Sequence, residues 1–462
     1  MIKDELDTIA AIATPIGEGA LSIIRISGTN AIDTAAKLFR GKKDLRIAAT
    51  HTAHFGSVYD LRGTRLDEVV CVVFLSPNSY TGEDVVEFSC HGGMLVTRRM
   101  LGTILDTGVR QASPGEFTKR AFLNGKMDLA QAEAVADLIQ AKSESARRGS
   151  LQQLQGELSD EIRQIRNQIV DSVGLLELEL DFAEDGYEFL EKSRVSAFIK
   201  SATNRIDQLL NSFKEGRIRR EGAKVVLIGA PNVGKSSLLN ALLQENRAIV
   251  TDIPGTTRDV IEESISVDGV QFRIVDTAGL RETPDAIEKE GMRRTLNQIE
   301  SADAVLFLID SSRKITDAEV VEFQRLRANL EKTATKILLV ANKADLNSEE
   351  NGMPGFSAEV VRVSAKEKTG IGELKNKMMA TLSETHDSIE SSVIITSLRH
   401  AEALAKTRSS LISADDSLQS NRTSEFVALD LRAALNSLGE IVGEVTTDEI
   451  LESVFSKFCI GK

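Results

Sequence analysis

The chain has 462 residues, 42% of them hydrophobic and 27% charged, and its 69 acidic side chains exceed its 56 basic ones, giving a net charge of -13. Roughly 100 to 200 residues make one domain, so this length implies two to four domains with buried cores and excludes a disordered or fibrous protein. The acidic balance argues against a protein that binds nucleic acid over its whole surface, because phosphate contacts need clustered Lys and Arg.

Three cysteines, Cys71, Cys90 and Cys459, are too few and too scattered for a disulfide framework or a zinc site, which favours a reducing compartment. No apolar run approaches the ~18 residues of a membrane span. Residues 1–5 lack the basic-then-apolar layout of a signal peptide. We therefore expect a cytoplasmic protein with no membrane partner.

In chain order, the first predicted strands are ALSIIRI at 20–26 and EVVCVVFL at 68–75, with turns at 77–78 and 92–93. They suggest a separate α+β domain at residues 1–122. A long amphipathic helix is predicted next, because apolar residues from Leu151 to Leu180 recur at steps of three or four, near the ~3.6-residue helical period.

A second helical stretch is predicted at about 397–458, where no proline interrupts a series of leucines. We expect the two helical stretches to pack together. Residues 123–216 and 384–462 are assigned to one all-α helical domain.

Between these stretches, short apolar strands alternate with helix-length polar segments, a pattern typical of a parallel sheet covered on both faces. The predicted strands are KVVLIG at 224–229, FRIVD at 272–276, AVLFLID at 304–310, KILLVA at 336–341 and VVRVS at 360–364. We predict an α/β domain at 217–383, inserted into the helical domain. Residues 1–122 carry 14 basic and 14 acidic side chains, 217–383 carry 24 and 25, and the helical remainder carries 18 and 30.

A phosphate-binding loop is predicted at 229–236, GAPNVGKS, which follows the KVVLIG strand and precedes an apolar helical run. There, backbone N–H groups close around phosphate oxygens, Lys235 neutralises the outer phosphates and the Ser236 hydroxyl reaches Mg²⁺. DTAG at 276–279 can hold the metal's water shell and sense the terminal phosphate.

Guanine specificity is predicted by NKAD at 342–345, because the Asp345 carboxylate can accept two N–H bonds from guanine, and SAK at 364–366 would back the base. Four elements in this order predict a GTP-binding domain. The residues assigned to GTP binding are Asn232, Val233, Gly234, Lys235, Ser236, Ser237, Thr251, Asp252, Ile253, Pro254, Gly255, Thr256, Thr257, Asp276, Thr277, Ala278, Gly279, Asn342, Lys343, Ala344, Asp345, Ser364, Ala365 and Lys366.

The group that orients the attacking water is less obvious, because Leu280 stands where a Ras-like protein has a glutamine. Asn232 and the loop at 251–259 could coordinate a monovalent cation that supplies the charge of an arginine finger. Thr257 is the natural second Mg²⁺ ligand. Glu288 could act on the water or be an ordinary solvated glutamate.

Beyond these elements, the whole chain resembles the bacterial and organellar family of tRNA modification GTPases MnmE (TrmE). The matching segments are IIRISG at 23–28, YTGEDVVEFSCHGG at 80–93, the stretch 113–139 and FCIGK at 458–462. The resemblance implies a homodimer formed through an N-terminal domain with a folate-binding-like fold, and a Ras-like GTPase domain inserted into the helical domain.

The resemblance also implies an activity. With an FAD- and NADH-dependent partner, MnmG (GidA), in a heterotetramer or larger assembly, such proteins add an aminomethyl or carboxymethylaminomethyl group to the 5-position of the tRNA wobble uridine. The one-carbon donor is 5,10-methylene- or 5-formyl-tetrahydrofolate. GTP is hydrolysed in a K⁺-dependent reaction as the two GTPase domains meet across the dimer.

The family's functional residues fall on matching positions of this sequence. Those at folate positions are Arg25, Glu87, Lys126 and Lys462, each of which would otherwise be taken for a surface charge. Those at K⁺ positions are Asn232, Thr251, Ile253 and Thr256, and Glu288 matches the water-positioning glutamate. Cys459 is either a nucleophile toward the 6-position of uracil or an apolar anchor of the tail. For His91 we expect a turn-stabilising or buried role.

The alternative, from another class, is a GTP-switched RNA-binding or ribosome-assembly module without group transfer. Such a factor normally carries a basic RNA-binding domain, which the charge count does not show. A folate methyltransferase regulated by GTP is a third possibility, although no GxGxxG flavin fingerprint is present. Because the helical surface is acidic, either a local basic patch or, as we expect, the flavoprotein partner supplies much of the RNA affinity.

Overall fold

The computed structural model describes residues 7–181, 192–245, 262–276, 298–299, 301–330, 335–346, 356, 359–383, 393–420 and 422–462. The chain forms two compact units. The first comprises Met1–Ile139, Gln153–Ala202 and Lys406–Lys462, and the second comprises Gln140–Gln152 and Thr203–Ala405. The boundaries predicted above for three domains stay a prediction.

The N-terminal part of the first unit is a seven-stranded mixed sheet in the order β3-β4-β5-β6-β2-β1-β7. All neighbouring pairs are antiparallel except β1 and β7. The strands are β1 Ile9–Ile12, β2 Leu21–Ser27, β3 Phe39–Gly41, β4 Thr52–Tyr59, β5 Arg65–Phe74, β6 Val85–His91 and β7 Arg110–Gln111. The two strands predicted in this region are confirmed as β2 and β5.

One face of this sheet is covered by helices α1 (Ala31–Leu38) and α2 (Met94–Leu105), which bury Ile24, Phe88 and Met100. Side chains alternate across a strand. Arg25 of β2 and Glu87 of β6 therefore lie on the opposite face. There α3 (Glu116–Leu123) contributes Phe117 to a small second core.

Among the described residues before the second sheet, the remaining α-helices are α4 Leu129–Gln140, α5 Glu144–Leu154, α6 Glu157–Asp181 and α7 Lys192–Glu221. The predicted long amphipathic helix is confirmed as α6, but it begins at Glu157, and Leu151 lies in the preceding helix α5. Gly156 adopts a φ of +93°, which ends α5 before α6 begins. Apolar periodicity records which face is buried and passes unchanged across such a break, whereas a left-handed glycine interrupts the backbone hydrogen bonds.

Three C-terminal helices account for the second predicted helical stretch: α11 Leu398–Gln419, α12 Ser424–Val442 and α13 Asp448–Phe455. Helix α12 packs along α6, which confirms that the two stretches pack together. Arg166 of α6 reaches Glu444 just beyond α12 at 2.8 Å. Helix α13 packs on α4 through Leu129 and Phe455.

The second unit is built on a six-stranded sheet in the order β13-β12-β11-β8-β10-β9, parallel except for the β9–β10 pair. The strands are β8 Ala223–Gly229, β9 Glu262–Val267, β10 Val270–Asp276, β11 Ala304–Asp310, β12 Lys336–Asn342 and β13 Val360–Arg362. All five predicted strands are confirmed. The edge strand β9 was missed because its EESISV sequence is largely polar.

Helices cover both faces of this sheet: α8 Lys235–Glu245 and α10 Ile371–Ser383 on one, α9 Asp317–Leu330 on the other. Every residue of the central strand β11 is buried, as expected for a parallel strand between two helical layers. The predicted multidomain α/β fold class is confirmed. Among the helices of the described part of the chain, none is long and apolar enough to cross a membrane.

Candidate functional site

The predicted phosphate loop connects the end of β8 to the start of α8. It turns through two residues of positive φ, Asn232 at +64° and Gly234 at +95°. A Cβ on Gly234 would lie 2.3 Å from the Asn342 amide nitrogen, so only glycine allows this approach. Ser236 and Ser237 lie exposed in the first turn of α8, where N–H groups without a helical partner can bind an anion.

Lys235 has its ammonium group folded onto the loop itself. Its Nζ donates to the carbonyl oxygens of Gly229 at 2.9 Å and Ala230 at 3.0 Å, and the residue is only 9% exposed. The positive charge is thereby held at the mouth of the phosphate loop. A lysine in this position acts as a point charge toward phosphate oxygens.

Asn342 joins the predicted base-binding segments to the phosphate loop. Its amide nitrogen donates to the Val233 carbonyl at 2.9 Å, and its amide oxygen accepts from the Ala365 N–H at 3.1 Å. The Ser364 hydroxyl donates to the Asp345 carboxylate at 2.6 Å, which fixes the group expected to recognise guanine. Ala344 lies in a short 3₁₀ turn, and Lys366 is exposed.

The sequence did not single out Asp310, at the end of β11. Its carboxylate pairs with the Lys343 ammonium at 2.6 Å and accepts the backbone N–H of Ser312 at 3.0 Å. Burial alone would raise the pKa of Asp310, but the hydrogen bonds from Lys343 and Ser312 outweigh it and hold the pKa below its ordinary value. The available signal was a carboxylate at the carboxyl end of a parallel strand, where ligand sites gather.

Other predicted GTP-site residues lie outside the described part of the chain: Thr251, Asp252, Ile253, Pro254, Gly255, Thr256, Thr257, Thr277, Ala278, Gly279 and Glu288. Asp276 is the last residue of β10. The structure thus brings together the phosphate loop, NKAD and SAK, while the roles assigned to all these residues stay predictions.

A second candidate site lies on the face of the N-terminal sheet opposite α1 and α2. Arg25 and Glu87 are register partners on β2 and β6, and their side chains pair at 2.7 Å while 13% and 20% exposed. The Arg25 guanidinium lies 5.5 Å from the ring centroids of both Tyr80 and Phe117. Neither aromatic residue was singled out from the sequence, although Tyr80 opens the YTGED segment.

The C-terminal tail completes this site. Arg25 donates to the Gly461 carbonyl at 3.3 Å, and the Lys462 ammonium lies 5.6 Å from the Tyr80 ring centroid. Burial and the nearby Arg25 lower the pKa of Lys462, against the opposing effect of Glu87. Two side-chain cations and one side-chain carboxylate therefore meet around an aromatic ring, so the side chains of the cluster are positive on balance and suit an anionic ligand.

Lys126, the fourth predicted folate residue, lies beside the loop that carries Tyr80. Its Nζ donates to the Pro77 carbonyl at 3.1 Å, and its stem is 3.4 Å from where a Cβ on Gly82 would lie. The structure therefore gathers Arg25, Glu87 and Lys462 directly and places Lys126 on the neighbouring loop.

Two further predicted residues lie on the surface of the same unit. Cys459 is an exposed residue with a free thiol, and its backbone carbonyl accepts the Gly115 N–H at 3.5 Å. His91 is exposed, so the buried alternative expected for it is wrong, while the turn-stabilising alternative stays a prediction. It is the last residue of β6, its Nδ1 lies 2.7 Å from the Asp67 carboxylate, and its backbone N–H donates to the same carboxylate at 2.8 Å.

The second unit, with a phosphate loop at the carboxyl end of a parallel sheet and NKAD beside it, defines a P-loop GTP-binding protein. Residues 8–126 match the family model described as the GTP-binding protein TrmE N-terminus, and 129–459 match the MnmE helical domain. The chain belongs to the MnmE family of tRNA modification GTPases.

The relatives match along their full length. The chain is 46% identical to the tRNA modification GTPase MnmE of Chlorobium phaeobacteroides, with 99% of this chain and 98% of the relative covered. It is 44% identical to that of Aquifex aeolicus, with 99% and 100% covered.

Solved structures similar to the chain include the G domain of the Thermotoga maritima FeoB iron transporter, at 27% identity. It covers 35% of this chain and 98% of that one, with a TM-score of 0.27. An Aquifex aeolicus Era variant bound to GDP and AlF4⁻ is 24% identical, covers 41% and 66%, and has a TM-score of 0.28. Likenesses at these scores carry no functional conclusion.

Proposed function

We propose that this chain hydrolyses GTP and couples the hydrolysis to the modification of transfer RNA. Asn342 carries the first half of the proposal, because it ties the Val233 carbonyl of the phosphate loop to Ala365 of the SAK segment. Hydrogen bonds thus connect the segments proposed to bind phosphate and guanine. Membership of the MnmE family carries the second half.

The Mg²⁺ ligands in this proposal are Ser236 and Thr257. Ser236 fits because it is an exposed residue in the first turn of α8, directly after Lys235. When bound, Mg²⁺ neutralises charge on the terminal phosphates. Lys235 and the N–H groups of the loop orient those phosphates.

The K⁺ ligands in this proposal are Asn232, Thr251, Ile253 and Thr256, and Glu288 positions the water. Asn232 fits because it lies exposed in the phosphate loop, at a turn where its φ is positive. The test is the rate of GTP hydrolysis with K⁺ replaced by Na⁺, and equal rates would exclude the ion. A Glu288→Ala variant should bind GTP normally and hydrolyse it about 100-fold more slowly, the usual range for one positioned acid–base group.

A reduced folate is the ligand we propose for the second site, held by Arg25, Glu87, Lys126 and Lys462. Cations suit the glutamate tail of a folate, and a carboxylate suits the amino and ring N–H groups of its pteridine. Tyr80 adds an aromatic face for stacking beside Lys462. The folate would supply the one-carbon unit, while the chain's own residues bind and orient it.

Two measurements test this part of the proposal. Titration calorimetry of the full chain with 5-formyl-tetrahydrofolate should detect binding, and Glu87→Gln should weaken it. If the wild type does not bind 5-formyl-tetrahydrofolate, the result would favour the GTP-switched RNA-binding module without group transfer.

The complete proposal includes a homodimer and the flavoprotein MnmG as partner. Reconstitution with that partner, tRNA, methylene-tetrahydrofolate and GTP should give a 5-substituted wobble uridine by nucleoside mass analysis. Unmodified tRNA from an otherwise active mixture would refute it.

A further inference from the structure

A basic cluster stands out at one edge of the N-terminal sheet. The ten residues 37–46 hold five cations and one carboxylate, Asp44. The cations are Lys37, Arg40, Lys42, Lys43 and Arg46. Elsewhere in residues 1–122 acidic side chains outnumber basic ones by four, so this segment reverses the local charge balance of an acidic chain.

The cluster occupies a continuous stretch of surface. It begins in the last turn of α1, follows the edge strand β3 and ends in a 3₁₀ turn at Leu45–Ile47. All five cations are exposed. From Lys37 to Lys43 the chain advances six residues, which limits the separation of their Cα atoms to about 20 Å. Several successive phosphates of one strand lie within that span.

The two arginines of the cluster, Arg40 and Arg46, form contacts within the protein. Arg46 pairs with Asp33 at 2.8 Å and Asp44 at 3.0 Å, which neutralises its charge locally. Arg40 donates to the carbonyl oxygens of Lys37 and Phe39, each at 3.1 Å, so its head is fixed while its charge stays unneutralised.

The three lysines are different. Within the described residues, Lys37, Lys42 and Lys43 form no ion pair with an acidic side chain. Eight of the thirteen described cations in residues 7–122 share this property, and four of those eight lie between positions 37 and 43. Unpaired cations are thus concentrated in one place.

We propose that this basic edge, residues 37–46, binds the phosphate backbone of the tRNA substrate. The inference rests on the proposed function and extends it to a named RNA-binding surface. Phosphate contacts need only exposed, closely spaced cations and release condensed counterions when they form. A protein partner normally needs an apolar or aromatic anchor. The apolar side chains of residues 37–46, Leu38, Phe39 and Leu45, are buried, and the exposed apolar residue beside them is Ile47.

Lys42 and Lys43 directly follow the edge strand β3, and lysines beside an edge strand also prevent strand pairing between molecules. Substitution by glutamate separates the two roles, because a carboxylate blocks strand pairing as well as an ammonium does but repels phosphate. The test is therefore Lys42→Glu with Lys43→Glu. The control is Arg98→Glu with Arg99→Glu, an adjacent, exposed pair on α2 that is likewise unpaired among the described residues. Lys42→Arg with Lys43→Arg retains the charge.

The readout is fluorescence anisotropy of a labelled tRNA transcript with uridine at the wobble position, between 50 and 200 mM KCl, with and without the flavoprotein. Each phosphate contact contributes roughly fivefold at ~150 mM salt relative to 1 M. The glutamate pair should weaken binding at least ~30-fold and reduce the log–log salt slope by about 2. The tRNA affinity and salt slope of the Lys42→Arg, Lys43→Arg variant and of the α2 control should match those of the wild type. GTP hydrolysis without tRNA should be unchanged in all three double variants.

Wild-type affinity and slope in the glutamate pair, or an equal loss in the α2 control, would overturn the inference while leaving tRNA modification by the wild type intact. Weaker flavoprotein binding with an unchanged salt slope would assign the surface to a protein partner instead. If the wild type neither binds nor modifies tRNA even with the flavoprotein, the proposed function and this inference both fail.

Discussion

Gly461→Ala tests how the C-terminal tail is seated in the second site. Gly461 has a φ of +104°, and a Cβ there would lie 2.2 Å from the Ile12 carbonyl oxygen of β1. Since β1 is held by β2 along its whole length, including Ile12, and by β7 at Ile9 and Ala10, we expect the tail rather than β1 to move. That movement carries Lys462 away from Tyr80 and breaks the hydrogen bond from Arg25.

The energies of seating and strain are similar in size. The Arg25 hydrogen bond contributes ~1.5–3 kcal/mol and the Lys462 cation–π contact ~0.5–2 kcal/mol. A left-handed L-residue costs ~1–2 kcal/mol, and the collision with the Ile12 carbonyl adds to it. We expect the tail to leave its seat, which removes one charged contact from a bound folate and weakens 5-formyl-tetrahydrofolate binding about 10- to 100-fold.

Titration calorimetry measures the change, with Gly63→Ala as the matched control. Gly63 also has a positive φ, +83°, but a Cβ there meets nothing within 4 Å, so this variant carries the backbone strain without the collision. Wild-type folate affinity in Gly461→Ala, or the same loss in Gly63→Ala, would refute the reasoning. GTP hydrolysis without tRNA should not change in either variant.

Three further outcomes are expected. Lys235→Ala removes the buried ammonium of the phosphate loop and should weaken Mg²⁺–GTP binding at least ~100-fold, measured with a fluorescent GTP analogue, with folate binding unchanged. Burial raises the pKa of Cys71 to about 12 and also raises the pKa of Cys90. Iodoacetamide at pH 8 should therefore label one thiol of the native protein, the exposed Cys459, and a second labelled cysteine in peptide mass analysis would contradict this burial. Burial would raise the pKa of Glu116, but its arginine partners hold that pKa below the ordinary 4.5. The stability that Glu116 contributes is therefore present above pH 4.5 and lost as the pH falls through the lowered pKa. Glu116→Gln should flatten the acid side of the Tm–pH profile between about pH 6 and 3, and parallel profiles of the variant and the wild type would contradict this.

The central features of the GTP site were accessible from the sequence because each is local. A glycine-rich loop after a buried strand, and NKAD after another, can each be recognised from about ten consecutive residues. The parallel sheet then brings their strand ends to one edge, where Asn342 contacts Val233. The pairing of Asp310 with Lys343 was not predictable, because it depends on the register of β11 against β12.

What the sequence by itself determined was five of the six strands of the second sheet, the nucleotide motifs and the family, all of which rest on residue order. Only the tertiary structure decided which distant groups meet. Arg25 and Gly461 are 436 positions apart, yet the tail lies against β1 and closes the Tyr80 site. Likewise, Gly156 breaks a helix that periodicity alone joined. Local patterns report local preferences, whereas contacts between distant residues depend on how the strands and helices pack.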